Sequence, residues 1–199
     1  MLAMHGAFFL QVKTEGHLQQ RARKAGCVMA VLVIALFIAG GCWVNYAIDG
    51  YRLTSNLVHD GPSNPLYKTA IRASHAWLTN YTTMPFTMTV PLAGIVGAFL
   101  AMVLAKRPKV AFVASAMSIA GIIGTVGVSM FPFILPSSSD PSQSLTVWDS
   151  SSSQLTLLIM LGATIIFLPI VLAYTAWVYR VLAGKITEQS IRDNDGTAY

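Results

Sequence analysis

Apolar residues dominate this chain in four long runs, and the polar ones collect between them. Ala25–Ile48, Ala73–Ala105, Val110–Ser139 and Ser150–Tyr179 contain no Asp, Glu, Lys or Arg. Within each lies a strongly apolar stretch of about 20 residues, the length an α-helix needs to cross a hydrocarbon core roughly 30 Å thick. The pattern predicts an all-α membrane protein with a four-transmembrane-helix bundle, its spans near residues 26–44, 84–105, 110–131 and 155–179. Ahead of them, Met1–Val12 is apolar but too short to cross. It reads either as a short interfacial or disordered N-terminus or as the truncated end of another helix. The expected organisation is a helix end at 1–12, a four-span bundle at 13–183 and a short, polar, flexible cytoplasmic tail at 184–199.

The segments between and inside the runs carry finer signals. Lys106–Lys109 is short enough to be a tight hairpin, which makes the second and third spans antiparallel neighbours. The second span contains Pro85 and Pro91, and proline in a membrane helix frees a carbonyl and can kink it, usually with neighbouring groups taking up the freed carbonyl. In the third span Ala114, Ser118, Gly121 and Thr125 form a stripe of small residues, with Gly124 and Gly127 beside them. Lipid tails are as apolar as leucine, so membrane helices gain by close backbone approach, and the stripe reads as a packing face. In the long loop from Asn45 to Thr83, Pro62-Ser63-Asn64-Pro65 is a turn with Asn64 as a helix cap. Beyond it Leu66, Ala70, Ile71, Trp77, Leu78 and Tyr81 recur on one helical face, opposite Lys68, Arg72, His75 and Thr79. That spacing predicts an amphipathic helix of about four turns. Asn80-Tyr81-Thr82 spells a glycosylation acceptor, a match that chance explains. The second loop, Pro136–Ser153, is Ser-rich and reads as a linker. At its end Ser151 and Gln154 have the spacing of a capping box, with Asp149 near the positive end of the last helix and Trp148 at the membrane interface.

Charge adds sidedness. Only 11% of residues are charged and 54% are hydrophobic, against about 25% charged in an ordinary soluble domain. Of the thirteen basic residues, all but Arg52, Lys68 and Arg72 fall in three segments that span parity puts on one side. These hold Lys13, Arg21, Arg23 and Lys24, then Lys106, Arg107 and Lys109, then Arg180, Lys185 and Arg192. The positive-inside rule assigns that side, and the C-terminal tail, to the cytoplasm. The net charge of +5 thus answers to a membrane surface and not to nucleic acid.

Candidate chemistry is sparse. The four runs offer no carboxylate or ammonium for a proton relay or ion path, and only His5 among the four histidines can approach membrane depth. A lone histidine is more often structural than a ligand. Cys27 and Cys42, fifteen residues apart on one helix, lie about 22 Å from each other and cannot form a disulfide. No phosphate loop, CxxC, HExxH or nucleophile–base pair appears, and no cleavable signal peptide is evident. No residue is expected to be catalytic, cofactor-binding or metal-binding.

Several stretches nevertheless have a familiar look. Trp43-Val44-Asn45-Tyr46-Ala47-Ile48-Asp49-Gly50-Tyr51, Met130-Phe131-Pro132-Phe133-Ile134-Leu135-Pro136-Ser137-Ser138 and Ser144-Leu145-Thr146-Val147-Trp148-Asp149-Ser150-Ser151-Ser152-Ser153-Gln154-Leu155-Thr156-Leu157 resemble subunit II of the cytochrome bd-type quinol oxidases. So does Pro169-Ile170-Val171-Leu172-Ala173-Tyr174-Thr175-Ala176-Trp177. The resemblance covers the whole chain and corresponds to the C-terminal half of that subunit. It implies a respiratory enzyme of the bacterial cytoplasmic membrane that oxidises quinol and reduces oxygen to water. Haem b, haem d and the quinol site would lie in the partner subunit I, with no cofactor ligated here. Further partners would be membrane lipid and, where the other half is a separate polypeptide, that N-terminal half. The implied role is scaffold, with Asp49, Trp148 and Asp149 ordering the outer face. Half of a secondary transporter, with Pro91 and Pro132 breaking helices at a midplane site, and a non-catalytic four-span adaptor are the alternatives.

Overall fold

The computed structural model describes residues 1–55, 64–181 and 184, and these fall into two compact units. Four of the described helical segments are long and apolar enough to cross a membrane: Gly16–Ala47, Pro85–Val103, Pro108–Met130 and Gln154–Val181. Each overlaps one of the four apolar runs.

The first unit comprises residues 1–48 and 77–129 with Gly184. It is built from α1 (Leu2–Lys13), α2 (Gly16–Ala47), the short α3 (Thr79–Thr83), α4 (Thr89–Val103) and α5 (Pro108–Met130). The N-terminal stretch is neither interfacial coil nor disorder. It is a helix whose Met4 and Phe8 are fully buried, and Gly26 of α2 accommodates the Phe8 ring. Only Thr14 and Glu15 separate α1 from α2, because Gly16 takes φ +65°, a conformation glycine adopts without steric penalty. The basic residues Arg21, Arg23 and Lys24 therefore lie on α2 itself, which starts about ten residues earlier than the apolar run.

The prolines of the second span sit where they cost little. Pro85 opens a 3₁₀ turn, Pro85–Met88, and Pro91 occupies the first turn of α4. There the missing N–H would have had no intrahelical partner, so a kink in mid-span is not required. α4 and α5 are antiparallel, joined through Leu104–Arg107: Gly94 faces Gly121 and Ile122, whereas Gly97 faces Ser118 and Ala114. A Cβ placed on Gly97 would lie 2.6 Å from the Ser118 backbone nitrogen. Ala111, Ala114, Ser115, Ser118 and Gly121 are all buried, so the small-residue stripe is a packing face, as its spacing indicated. Asn80 gives its side-chain N–H to the Val128 carbonyl at 2.8 Å and belongs to this packing.

The second unit comprises residues 49–76 and 130–183. Its helix, α6 (Gln154–Val181), buries no side chain. The rest consists of two small antiparallel ribbons: β1 (Gly50–Leu53) with β2 (Ala70–Ala73), and β3 (Phe133–Leu135) with β4 (Leu145–Thr146). In the first, Gly50 pairs with Ala73 and Leu53 with Ala70; in the second, Phe133 pairs with Thr146.

Here the amphipathic helix predicted from Pro65 to Tyr81 fails. Asn64 does cap a helical turn, accepting the Leu66 N–H at 3.0 Å, but the turn is 3₁₀ and ends at Tyr67. β2 follows, then a 3₁₀ turn at Ala76–Leu78 and α3. Two causes outweigh the periodicity. β1 offers a ladder that an extended segment can complete, and His75 adopts φ +61°, which a continuous right-handed helix does not allow. Pro62 and Ser63 of the predicted turn, His59 and nearly all of the tail lie outside the described residues.

Candidate functional site

Polar side chains converge at one place in each unit. In the second, Lys68 and Asp149 meet as an ion pair with Nζ 2.5 Å from Oδ2. Lys68 is only 3% and Asp149 only 7% exposed. The other carboxylate oxygen accepts the Thr146 N–H at 2.6 Å. Burial pushes the Asp149 carboxyl up, but the Lys68 ammonium and the Thr146 N–H outweigh it and hold the group below the ordinary carboxylate range.

Around this pair the two long loops are stitched together. Tyr51 Oη donates to the Ser137 carbonyl at 2.6 Å, and Arg72 donates to that of Ser138 at 2.8 Å. Ser142 Oγ accepts the Ala70 N–H and donates to the Ala70 carbonyl, both at 3.3 Å. The Ser144 hydroxyl, fully buried, accepts the Ser137 N–H at 3.0 Å. The serines that read as a linker are thus the side chains that hold a defined loop, with Asp140 capping a 3₁₀ turn at Pro141–Gln143. Asp49 takes a bond from Ser74 Oγ at 3.1 Å, and the Trp148 ring stands edge-on to Phe131 with centroids 5.6 Å apart.

Two details of the loop's end differ from expectation. Asp149 faces Lys68 and Thr146 rather than serving the start of α6. The cap of α6 is Ser153, which accepts the Thr156 N–H at 3.4 Å and meets the Thr156 hydroxyl at 2.9 Å. The capping register thus lies two residues beyond Ser151, because Trp148–Ser150 form part of the turn that follows β4, where Ser150 N–H bonds the Thr146 carbonyl.

In the first unit, His5 of α1 meets Ser115 of α5, Nδ1 to Oγ 2.7 Å, and stacks on Phe112 with centroids 4.5 Å apart. Ser115 donates its own proton to the Phe112 carbonyl at 2.7 Å, which leaves its oxygen to accept from the imidazole N–H. Gln11 of α1, buried, donates to the Ala105 carbonyl at 2.6 Å, and Ser118 of α5 donates to the Gly94 carbonyl of α4 at 2.8 Å. Cys27, half-buried, packs against α4 with Sγ 3.9 Å from the Met102 carbonyl, while Cys42 is exposed. His17 and His75 are exposed. Among the described residues no three His, Cys, Asp or Glu side chains gather as a metal site would require.

Sequence reasoning missed both partnerships. The helical periodicity puts Lys68 on a polar face, and its partner lies 81 positions away, beyond any local pattern. Ser115 lies next to Ala114, the first member of the small-residue stripe, and carries no signal of its own.

Comparison with known proteins brings in relatives over the same span. The family model for cytochrome bd terminal oxidase subunit II matches residues 1–182. The chain is 41% identical over 201 residues to cytochrome bd-I ubiquinol oxidase subunit 2 of Escherichia coli K12, covering all of this chain and 53% of that protein. It is equally similar, 41%, to the probable cytochrome oxidase subunit 2 of Haemophilus influenzae, again over 53% of that protein. Cytochrome bd ubiquinol oxidase subunit 2 of Bacillus subtilis is 28% identical over 93% of this chain. The chain spans about half the length of these curated relatives.

Proposed function

This chain belongs to the cytochrome bd terminal oxidase subunit II family, and on that premise we propose that it is a membrane scaffold within a quinol:oxygen oxidoreductase. It would bury a face of a haem-bearing partner in a bacterial cytoplasmic membrane, with its basic ends and C-terminus in the cytoplasm. The polypeptide that supplies the rest of subunit II would be a further neighbour.

The observation that carries the scaffold reading is how the buried polar side chains of the helical unit are engaged. Gln11 and Ser118 bond to carbonyls of neighbouring segments, and Ser115 bonds His5. Such bonds, with close-packed small residues, are what bind membrane helices to one another.

Haem is the group the family implies, and neither His5 nor the cavity in the helical unit fits it. Haem iron needs an axial His, Cys, Met or Tyr presented to a space that admits the macrocycle. His5, the histidine inside the helical unit, has its ring covered by Phe112. The cavity of about 330 Å³ in this unit is lined by Val12, Gln19, Arg107, Pro108, Lys109 and Val110, none of them a ligand of that kind. On this reading the haems b and d, and the quinol, would belong to the partner.

Purification through a tag on this chain, from cells that also make the haem-bearing subunit, tests the reading. The reduced-minus-oxidised spectrum of the eluate should carry the b- and d-type haem bands. Tagged chain that elutes without haem or partner would support the adaptor alternative, and solute uptake by liposomes holding this chain alone would support the transporter.

A further inference from the structure

We propose that the corner where α1, α2 and the α4–α5 hairpin meet binds an anionic phospholipid of the adjacent leaflet. Its phosphate would be held by Arg107 and Lys109 and the start of an acyl chain by the groove beneath. The cavity of about 330 Å³ lies there, open to the surface, between Val12 near the end of α1, Gln19 near the start of α2, and Arg107–Val110. That volume is at the lower end of the range for small-molecule sites.

The chemistry of the walls selects the occupant. Val12, Pro108 and Val110 line the groove with apolar surface, and Arg107 and Lys109 line it beside them. Lys106, Arg107 and Lys109 crowd into four residues and are all exposed, and neither Arg107 nor Lys109 has a carboxylate partner among the described residues. Arg21 and Lys24 add positive charge near the start of α2, where Glu15 is the nearest acidic residue in sequence. Cations at the edge of a bilayer attract anionic headgroups, each contributing about fivefold in affinity. Inorganic phosphate would satisfy the cations but gain nothing from the apolar lining; a neutral quinone would fill the groove and gain nothing from the cations. An amphiphile with one negative headgroup uses both. Nothing in this inference depends on the oxidase reading, only on the helices lying in a bilayer.

The test uses the full chain, purified with its membrane partners and reconstituted in nanodiscs of phosphatidylcholine doped with phosphatidylglycerol of the same acyl chains. Bound lipid is counted by native mass spectrometry after release. Arg107→Gln with Lys109→Gln should lower phosphatidylglycerol retention about 25-fold, two cations at about fivefold each, and leave phosphatidylcholine unchanged. Arg21→Gln with Lys24→Gln removes the same charge at the same end but outside the cavity, and should lower retention clearly less than the first pair does. An equal loss in both double variants would overturn the proposal in favour of diffuse surface charge. Displacement of the lipid by inorganic phosphate, at an ionic strength where chloride leaves it bound, would overturn it in favour of a free-phosphate site. Unchanged melting of both variants keeps the comparison valid, and a fold-independent check comes from salt: retention by the unmodified chain should fall as ionic strength rises.

Discussion

Replacing Asp149 by Ala is the sharpest test of how the two loops are held. At the observed 2.5 Å, two unit charges attract by about 7 kcal/mol at an effective dielectric constant of about 20. Desolvating a buried ammonium and a buried carboxylate cancels much of that, since the penalty is several kcal/mol per ion. The pair as a whole is therefore worth little net. Removing one member is different, because the other keeps its desolvation penalty without its counter-charge, and the expected loss is about 3–5 kcal/mol. Asp149→Ala also takes the acceptor from the Thr146 N–H, adding about 1 kcal/mol. The double variant Lys68→Met, Asp149→Leu should recover most of the loss, because it leaves neither charge behind. Amide hydrogen exchange of β1, β2, β3 and β4 is the assay: exchange should accelerate steeply in Asp149→Ala and stay near the unmodified rate in the double variant. If Asp149→Ala exchanges these amides at the unmodified rate, the ion pair does not hold the loops and the reasoning fails.

Two further outcomes follow from the same structure. Gly97→Val should force α4 from α5, because its first side-chain carbon would lie 2.6 Å from Ser118 N; thermal unfolding in detergent should drop by the equivalent of about 2 kcal/mol or more, while Gly127→Ala, with open space around it, should be neutral. Asp149, held below its ordinary range, contributes stability that is complete above the unfolded carboxylate value of about 3.9 and is lost as pH falls through the folded one. Melting of the loop unit should thus be flat in this contribution from neutral pH down to about pH 5 and decline below about pH 4, with Asp149→Asn losing that acid-dependent part; an identical acid profile for the variant would count against the assignment.

Some of the candidate chemistry was legible early. The Ser118 stripe needed only the rule that small residues let membrane helices approach, and Cys27 with Cys42 needed only the rise of a helix. The local pattern around Trp148 and Asp149 points to a helix end, not to Phe131 and Lys68. The reason is range: capping boxes and interface aromatics are local patterns, whereas a charge chooses its partner after the chain has folded.

Taken alone, the order of residues determined that four segments enter a bilayer, where three of them begin and end to within a few residues, and which face of α5 packs. Those properties follow from hydrocarbon thickness and helix geometry, which act on each segment independently. The tertiary structure decided the rest: that Leu2–Lys13 is a helix burying Met4, Phe8 and Gln11, that residues 70–73 join β1 instead of extending a helix, and that Lys68 is buried against Asp149. Each of these depends on contacts between residues far apart in the chain, whose energies of a few kcal/mol exceed the fraction of a kcal/mol per residue by which local propensity favours one conformation over another.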